Sequence, residues 1–311
     1  MQTYRHHASW EKYKALLRDE FDFHFDREPT ETQSVLLGHK VHIDQWCANG
    51  DTGAGHRLGT VIIVHGGGGN GRVLAPFAQS ISKLGWRVLA PDLPGFGLTQ
   101  PAQNWRAHYS AWPALIAALA DRQDEPIVLV GASMGGLTAV FAAQDVHRPP
   151  RAVIATTLLD LSESGAFVKA ARWRVFGHLS LFCARYLAWF MDRLSLPLYL
   201  AAPLHAMSSN KPVADYFRND PLLGKRWVPL RFWRTAHGYR LEKLDLPCPL
   251  TLIHPGQDKW TAPEESLRTF EKITSEKRYV LLSNGSHLPV EPEAFSSLMH
   301  EISTSLEQVA H

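Results

Sequence analysis

Residues 126–136 read Pro126-Ile-Val-Leu-Val-Gly131-Ala-Ser133-Met-Gly135-Gly136. The apolar run at 127–130 is typical of a buried strand, and the small residues from Gly136 onward predict a helix start. Between them stands Gly-x-Ser-x-Gly, which places Ser133 at a sharp turn from strand to helix. Such a turn holds its serine in a strained conformation, and glycines around it avoid clashes between strand and helix. The pattern predicts a nucleophilic Ser133; the alternative is a glycine-rich turn that merely contains a serine.

With these motifs the sequence resembles the α/β-hydrolase superfamily, specifically its serine esterase, lipase, lysophospholipase and serine aminopeptidase-like members. The resemblance covers about residues 30–160 and 245–310. It implies an α/β fold with an eight-stranded, mostly parallel sheet flanked by helices, and a helical cap inserted after the sixth strand. The expected division is a core of residues 1–160 and 241–311 and a cap of residues 161–240.

Composition sets the broad class of the protein. A chain of 311 residues with 45% hydrophobic content can bury a large core, and a net charge of +2 gives no argument for nucleic acid. The first seven residues contain no apolar segment, so no secretory signal is expected. Cys47, Cys183 and Cys248 have no metal-site spacing and favour reduced thiols in a cytoplasmic protein. No apolar window is long enough for a transmembrane helix.

Apolar runs and turn residues predict the other elements. Strands are expected at 34–39, 41–46, 60–64, 86–90, 151–159, 249–254 and 277–282, and a flexible turn at 49–55. Helices are expected at 8–25, 72–84, 105–121 and 292–309.

A glycine run follows the strand at 60–64, in the sequence His65-Gly-Gly-Gly-Gly-Asn70. Glycines allow backbone N–H groups to approach a developing oxyanion, and the family places its oxyanion loop here. The resemblance implies Gly67 as one donor, with Gly68 as the alternative, and the N–H of Met134 as the second. His65 is expected to be structural. A tight turn without a catalytic role is the competing interpretation.

Three aspartates are candidates for the acid of a catalytic triad. Asp92 lies in Asp-Leu-Pro-Gly-Phe-Gly, which resembles a structural turn of the family, and we expect its carboxylate to cap nearby N–H groups. Asp258 follows the strand at 249–254 in Gly256-Gln-Asp258, which resembles the turn that carries the family's acid. Asp160, at the end of the sixth strand, stays open as a rival. The chain order serine, aspartate, histidine favours Asp258.

His287 is the predicted base because it lies in a short loop after the last strand, where the family places its histidine. With Ser133 and Asp258 it would form a triad that works through an acyl-enzyme and needs neither cofactor nor metal. The alternative is an ordinary loop histidine.

The segment 161–240 is rich in aromatic side chains, and we expect more than half of them to form the core of the cap. The remainder would line an apolar pocket above Ser133, mainly from residues 166–190. Basic residues in the segment argue against membrane spanning, and a peripheral membrane contact stays open. The oligomeric state is not determined by the sequence. The aromatic residues are Trp173, Phe176, Phe182, Tyr186, Trp189, Phe190, Tyr216, Phe217, Trp227, Phe232 and Trp233.

The resulting hypothesis is a serine hydrolase that cleaves a carboxylic ester with an apolar or lipid-like acyl group, acting on a small molecule. Amide, peptide or lactone hydrolysis is the enzymatic alternative. A ligand-binding member without catalysis is the alternative of another class, because a fold alone does not determine function.

Overall fold

A computed structural model describes residues 2–48, 58–241 and 244–310, so the turn expected at 49–55 lies outside the described residues. The strands of these ranges are β1 (Thr30–Leu36), β2 (His39–Trp46), β3 (Thr60–Val64), β4 (Arg87–Pro91), β5 (Ile127–Gly131), β6 (Ala152–Ala155), β7 (Ser195–Pro197), β8 (Trp227–Pro229), β9 (Leu244–Asp245), β10 (Leu250–His254), β11 (Ile273–Thr274) and β12 (Lys277–Leu281). The α-helices are α1 (Ala8–Phe21), α2 (Ala75–Lys83), α3 (Ala111–Ala120), α4 (Met134–Asp145), α5 (Ser164–Ala170), α6 (Arg174–Tyr186), α7 (Ala188–Met191), α8 (Leu198–Ala201), α9 (Lys211–Asn219), α10 (Leu230–His237), α11 (Pro263–Glu271) and α12 (Pro292–Glu307).

The main sheet has eight strands in the order β1-β2-β4-β3-β5-β6-β10-β12. β2 runs antiparallel to both of its neighbours, β1 and β4, whereas the other neighbouring pairs are parallel. The predicted eight-stranded, mostly parallel sheet flanked by helices is therefore confirmed.

The central strands are buried on both faces, which explains their continuous apolar sequences. In β3, Ile62 and Val64 pack into one apolar cluster together with residues of α3 and α4. Val61 and Ile63 point to the opposite face and pack into a second cluster with residues of α1, α2 and α12. This alternation follows from the two-residue repeat of a strand.

The parallel strands deliver the predicted site residues to one edge of the sheet. The glycine loop follows β3, Ser133 follows β5, Asp258 follows β10 and His287 follows β12. Because the carboxyl ends of parallel strands lie at the same edge, residues more than 150 positions apart can meet there.

Between β6 and β10 the chain forms the short helices α5 to α10 and a ribbon in which β7 and β8 pair antiparallel. The ribbon was not predicted, because each of its strands has only three residues and ends in a proline. The division into a core and a separate cap stays a prediction.

The expectation that most aromatic residues of this segment form its own core is wrong. Seven of the eleven are exposed, and Tyr216 and Phe217 pack against Tyr13 of α1 instead. Phe232 is buried against Phe96 and Trp112 of the main body. These large side chains therefore face the main body, the cavity or the solvent. The exposed ones are Trp173, Phe176, Phe182, Tyr186, Trp189, Phe190 and Trp227.

Candidate active site

Ser133 lies at a strained turn between β5 and α4. Its backbone angles are φ 57° and ψ −130°, in a region that residues other than glycine rarely adopt. The glycines on either side permit this turn. A Cβ on Gly131 would lie 2.3 Å from the carbonyl oxygen of Gly135, and one on Gly135 would lie 2.2 Å from that of Val64. The predicted elbow geometry is therefore present.

The structure brings Ser133, His287 and Asp258 into one chain of hydrogen bonds. His287 Nε2 lies 2.7 Å from Ser133 Oγ, and His287 Nδ1 lies 2.8 Å from Asp258 Oδ2. The side chains of His287 and Asp258 are almost completely buried. This is the arrangement in which a histidine can take a proton from a serine while a carboxylate holds its ring.

The environment of Asp258 keeps its carboxylate ionised. Burial alone would raise its pKa, but the adjacent His287 and hydrogen bonds from the N–H groups of Trp260 and Thr261 bring the pKa below its usual value. Those N–H groups donate to Oδ1 at 2.8 and 3.0 Å. An ionised carboxylate only accepts hydrogen bonds, so His287 Nδ1 must carry the hydrogen. In the neutral ring Nε2 is then free to accept the hydroxyl proton of Ser133.

Asp160, the rival acid, is engaged elsewhere. Its Oδ1 accepts hydrogen bonds from the N–H and hydroxyl of Ser162, and its Oδ2 lies 3.0 Å from the ammonium of Lys272. The structure therefore places Asp258, rather than Asp160, against His287.

The glycine loop after β3 lies next to Ser133. A Cβ on Gly66 would lie 2.7 Å from the Cβ of Ser133, and one on Gly67 would lie 3.2 Å from the sulfur of Met134. Within residues 2–48, 58–241 and 244–310, the N–H groups of Gly67 and Met134 donate to no other protein group. Gly67 also lines the cavity above Ser133, whereas Gly68, at φ 88°, lies close to the side chain of Leu198. The loop can therefore present free donors beside Ser133.

His65 has the structural role predicted for it. Its Nε2 accepts the N–H of Leu93 at 3.0 Å, so Nδ1 carries the hydrogen and donates to the carbonyl of Gly66 at 2.8 Å. Burial lowers the pKa of His65, in keeping with a neutral ring. The ring ties the glycine loop to the turn after β4.

Asp92 caps nearby backbone, also as predicted. Its carboxylate accepts the N–H groups of Gly71 and Leu98, both at 2.7 Å, and the hydroxyl of Tyr4 at 2.9 Å. It is fully buried, beside the glycine loop and away from the triad hydrogen bonds.

A cavity of about 890 Å³ lies above Ser133. Its floor includes Gly67, Ser133 and Met134, and its walls come mainly from residues 161–202, including the predicted stretch 166–190. Apart from Ser133, the polar lining side chains in the described part of the chain are Ser180, Cys183, Arg234 and His237. Apolar surface therefore dominates the space next to Ser133.

Two further residues contribute to the site without having been singled out. The Trp260 ring packs on His287 with centroids 4.7 Å apart, and Thr156 Oγ1 accepts the N–H of Ser133 at 3.3 Å. Of these two, only Trp260 carried a sequence signal, its position two residues after Asp258 in the same turn. Trp233, one of the aromatic residues noted in the segment 161–240, lines the cavity beside Gly67.

One group of possible metal ligands lies in the described residues, away from the triad: Glu31, His42 and Asp44. The guanidinium of Arg72 already occupies both oxygens of Asp44, at 2.6 and 2.7 Å. The protein's own Arg72 is thus the cation beside Asp44. The group of Glu31, His42 and Asp44 therefore fits an ion-pair network better than a metal site.

Known proteins include a family whose model matches most of this chain. Residues 55–293 match the model of a family described as serine aminopeptidase, S33. The chain belongs to this family. It is therefore a member of the α/β-hydrolase superfamily and resembles esterases and lipases.

Individual relatives show the same likeness. The chain is 23% identical to a monoglyceride lipase of Rattus norvegicus over 78% of its own length and 80% of that protein's. It is 35% identical to a 2-hydroxy-6-oxo-2,4-heptadienoate hydrolase of Pseudomonas putida, over 33% of this chain and 38% of that one. A solved structure of a soluble variant of the monoglyceride lipase from Saccharomyces cerevisiae superimposes with a TM-score of 0.71 at 17% identity, covering 93% of this chain and 97% of that one. The chain spans about a third of the length of the first curated relatives.

In the described ranges, no helix has the length and apolar character needed to cross a lipid bilayer.

Proposed function

We propose that this member of the family is a serine hydrolase that cleaves carboxylic esters with an apolar acyl group. The observation that carries the proposal is a hydrogen-bonded chain from Asp258 through His287 to Ser133, on the floor of an apolar cavity. The monoglyceride lipases among its relatives support the same class of reaction.

In the acylation step, His287 Nε2 accepts the hydroxyl proton as Ser133 Oγ forms a bond to the ester carbonyl carbon. The N–H groups of Gly67 and Met134 are proposed to donate to the resulting oxyanion. The intermediate collapses by breaking the carbon–oxygen bond to the alcohol, which leaves with the proton from His287. Asp258 stabilises the imidazolium throughout.

In the deacylation step, His287 removes a proton from water, whose oxygen attacks the acyl-enzyme carbonyl. Collapse of the second intermediate releases the carboxylic acid and returns the proton to Ser133. Neither step calls for a group outside these residues and water.

The lining of the cavity favours esters over aminoacyl and carboxylate-bearing substrates. None of the lining residues in the described ranges is Asp or Glu, so no carboxylate there can bind a substrate ammonium. The guanidinium of Arg234 bonds the carboxylate of Asp192 at 2.7 Å through two nitrogens, which leaves it poorly placed to bind a substrate carboxylate. An uncharged, largely apolar acyl group satisfies the cavity best.

The family description makes amide hydrolysis the second candidate, and lactone opening and ligand binding without catalysis are further alternatives. A panel of p-nitrophenyl esters from acetyl to decanoyl, tested beside aminoacyl p-nitroanilides and a lactone, separates them. We expect hydrolysis of the esters, with kcat/KM rising from the acetyl ester onward. Preferential cleavage of the anilides or the lactone would replace the ester assignment, and activity on none would favour the ligand-binding role.

A further inference from the structure

The rim of the cavity carries an unusual number of exposed apolar side chains. Single exposed apolar residues are normal on a soluble protein, but a continuous patch marks an interaction site. Here the exposed fractions run from 38% for Leu196 to 75% for Val175. We call this surface the rim face, and it consists of Trp173, Val175, Phe176, Leu179, Phe182, Tyr186, Leu187, Trp189, Phe190, Leu194 and Leu196.

The rim face is continuous with the opening of the cavity. Many of its members, including Phe176, Leu179 and Phe190, also line the cavity, so the same side chains contact both the interior space and the solvent. Helix α6 shows the effect most clearly, because in its thirteen residues only Gly177 is buried. A helix that exposes apolar residues in this way gains little stability from the rest of the protein and leaves a face available to an apolar partner.

Basic side chains predominate along the segment that carries most of this face. Residues 164–191 contain Lys169, Arg172, Arg174 and Arg185 and no aspartate or glutamate. Asp192, which follows them, is paired with Arg231 and Arg234. Two of these arginines lie against aromatic rings of the face, with the guanidinium of Arg172 4.3 Å from the Trp173 ring centroid and that of Arg185 5.4 Å from Tyr186. Aromatic rings beside basic side chains are typical of protein surfaces at a membrane–water interface.

This combination selects among possible partners. A two-fold dimer through the rim face would bring the same basic residues of two copies together, which costs electrostatic free energy. A surface of anionic lipids offers apolar chains to the aromatic residues and negative headgroups to the arginines.

We propose that the rim face docks the protein on the surface of an anionic lipid membrane, with the cavity opening toward the lipid. Phe182, Tyr186 and Trp189 enter the interface, and Arg174 and Arg185 contact the headgroups. An apolar substrate can then pass from the membrane into the cavity without crossing water. The docking itself does not depend on the chemistry proposed for Ser133.

Vesicle binding by the full chain tests the apolar part of the proposal. We compare sedimentation with phosphatidylcholine vesicles that contain or lack phosphatidylglycerol. Phe182→Ser/Trp189→Ser should bind anionic vesicles at least about tenfold more weakly, because two large side chains no longer enter the interface. Neither residue lines the cavity. The matched control is Val35→Ser/Leu281→Ser, whose exposed fractions of 60% and 53% resemble the 57% and 65% of Phe182 and Trp189.

A second pair of variants tests the charge. Arg174→Gln/Arg185→Gln should weaken binding to anionic vesicles by about fivefold per arginine, and should leave binding to neutral vesicles unchanged. Arg5→Gln/Lys12→Gln removes two exposed basic residues elsewhere and should bind like the unaltered protein. High salt should abolish the difference between the two vesicle types.

Circular dichroism and thermal unfolding show that every variant is folded, so this test stays separate from the proposed ester hydrolysis. The proposal is overturned if the unaltered protein binds neither vesicle, or if Phe182→Ser/Trp189→Ser binds as well as its control. It is also overturned if sedimentation velocity shows a dimer that this variant converts to a monomer, because a second copy then covers the face.

Discussion

The ammonium of Lys272 lies 3.0 Å from the carboxylate of Asp160, which is buried in the loop that follows β6. Lys272 also pairs with Glu163, at 2.5 Å. Burial alone would lower the pKa of Lys272, but Glu163 and Asp160 together outweigh it and raise that pKa. Asp160 is thus an ion-pair partner of Lys272. The carboxylate next to His287 Nδ1 is that of Asp258.

This arrangement predicts a ranking of two matched variants. Asp258→Asn should reduce kcat by up to about 10⁴-fold, because an amide permits the wrong histidine tautomer. Asp160→Asn should cost far less activity, since its side chain bonds Ser162 and Lys272. The measurement is kcat on a short ester, with thermal unfolding as a check that both variants fold. The reverse ranking would make Asp160 the acid.

A pair of glycine variants tests the elbow. Gly135→Ala should destabilise the protein by about 3 kcal/mol or more, because the new Cβ would lie 2.2 Å from the carbonyl oxygen of Val64. Gly165→Ala is the control, since its Cβ would meet nothing within 4 Å and alanine favours the helix by about 0.5–1 kcal/mol. Denaturant unfolding measures both. Equal stability of the two variants would contradict the close approach of strand and helix.

The elbow and the triad could be predicted because their signals are local. A pattern of only a few residues identifies each part: strand β5, the glycines around Ser133, and the loops that carry Asp258 and His287. Parallel strands then bring these loops to one edge of the sheet. The sequence did not reveal the bond from Tyr4 to Asp92, which joins residues 88 positions apart. Packing between distant side chains leaves no periodic pattern.

The aromatic residues of 161–240 were predicted wrongly for a related reason. Composition states that large apolar side chains are present, but not whether enough neighbouring layers exist to bury them. Trp189 and Phe182 stay exposed because helices α6 and α7 have no layer above them. Burial in such a segment depends on how many layers of secondary structure pack on one another. The preferences of single residues carry no information about that number.

His42 should make the stability depend on alkaline pH. Burial lowers its pKa, but the acids around it prevail and raise the pKa to about 10. Its Nε2 bonds Glu31 Oε2 at 2.8 Å, and its Nδ1 faces Asp92 Oδ2 at 3.4 Å, an ion-pair distance rather than a well-formed hydrogen bond.

Since the folded pKa exceeds the unfolded value of about 6.5, the stabilisation is complete below that pH and is lost as pH rises toward 10. The melting temperature should therefore fall by several degrees between pH 7 and pH 10, and the fall should be smaller in His42→Gln. Parallel curves for the two proteins would refute the charged role of His42.

The cavity should select the acyl chain by length. Each methylene buried there adds about 0.8 kcal/mol, so kcat/KM should rise about fourfold per methylene until the cavity is full. Ala184→Phe, at a residue that lines the cavity, should move the optimum to shorter chains. Ala188→Phe, in α7 and outside the lining, is the control. A flat response from acetyl to decanoyl esters would show that the acyl chain binds elsewhere.

Intact-mass spectrometry after treatment with a fluorophosphonate tests the central claim most directly. Ser133, whose Oγ lies 2.7 Å from His287 Nε2, should form one covalent adduct in the unaltered protein. Ser133→Ala should form none and should lose about 10⁴-fold or more in kcat while its unfolding curve is retained. An adduct on Ser133→Ala, together with retained ester hydrolysis, would show that another residue is the nucleophile.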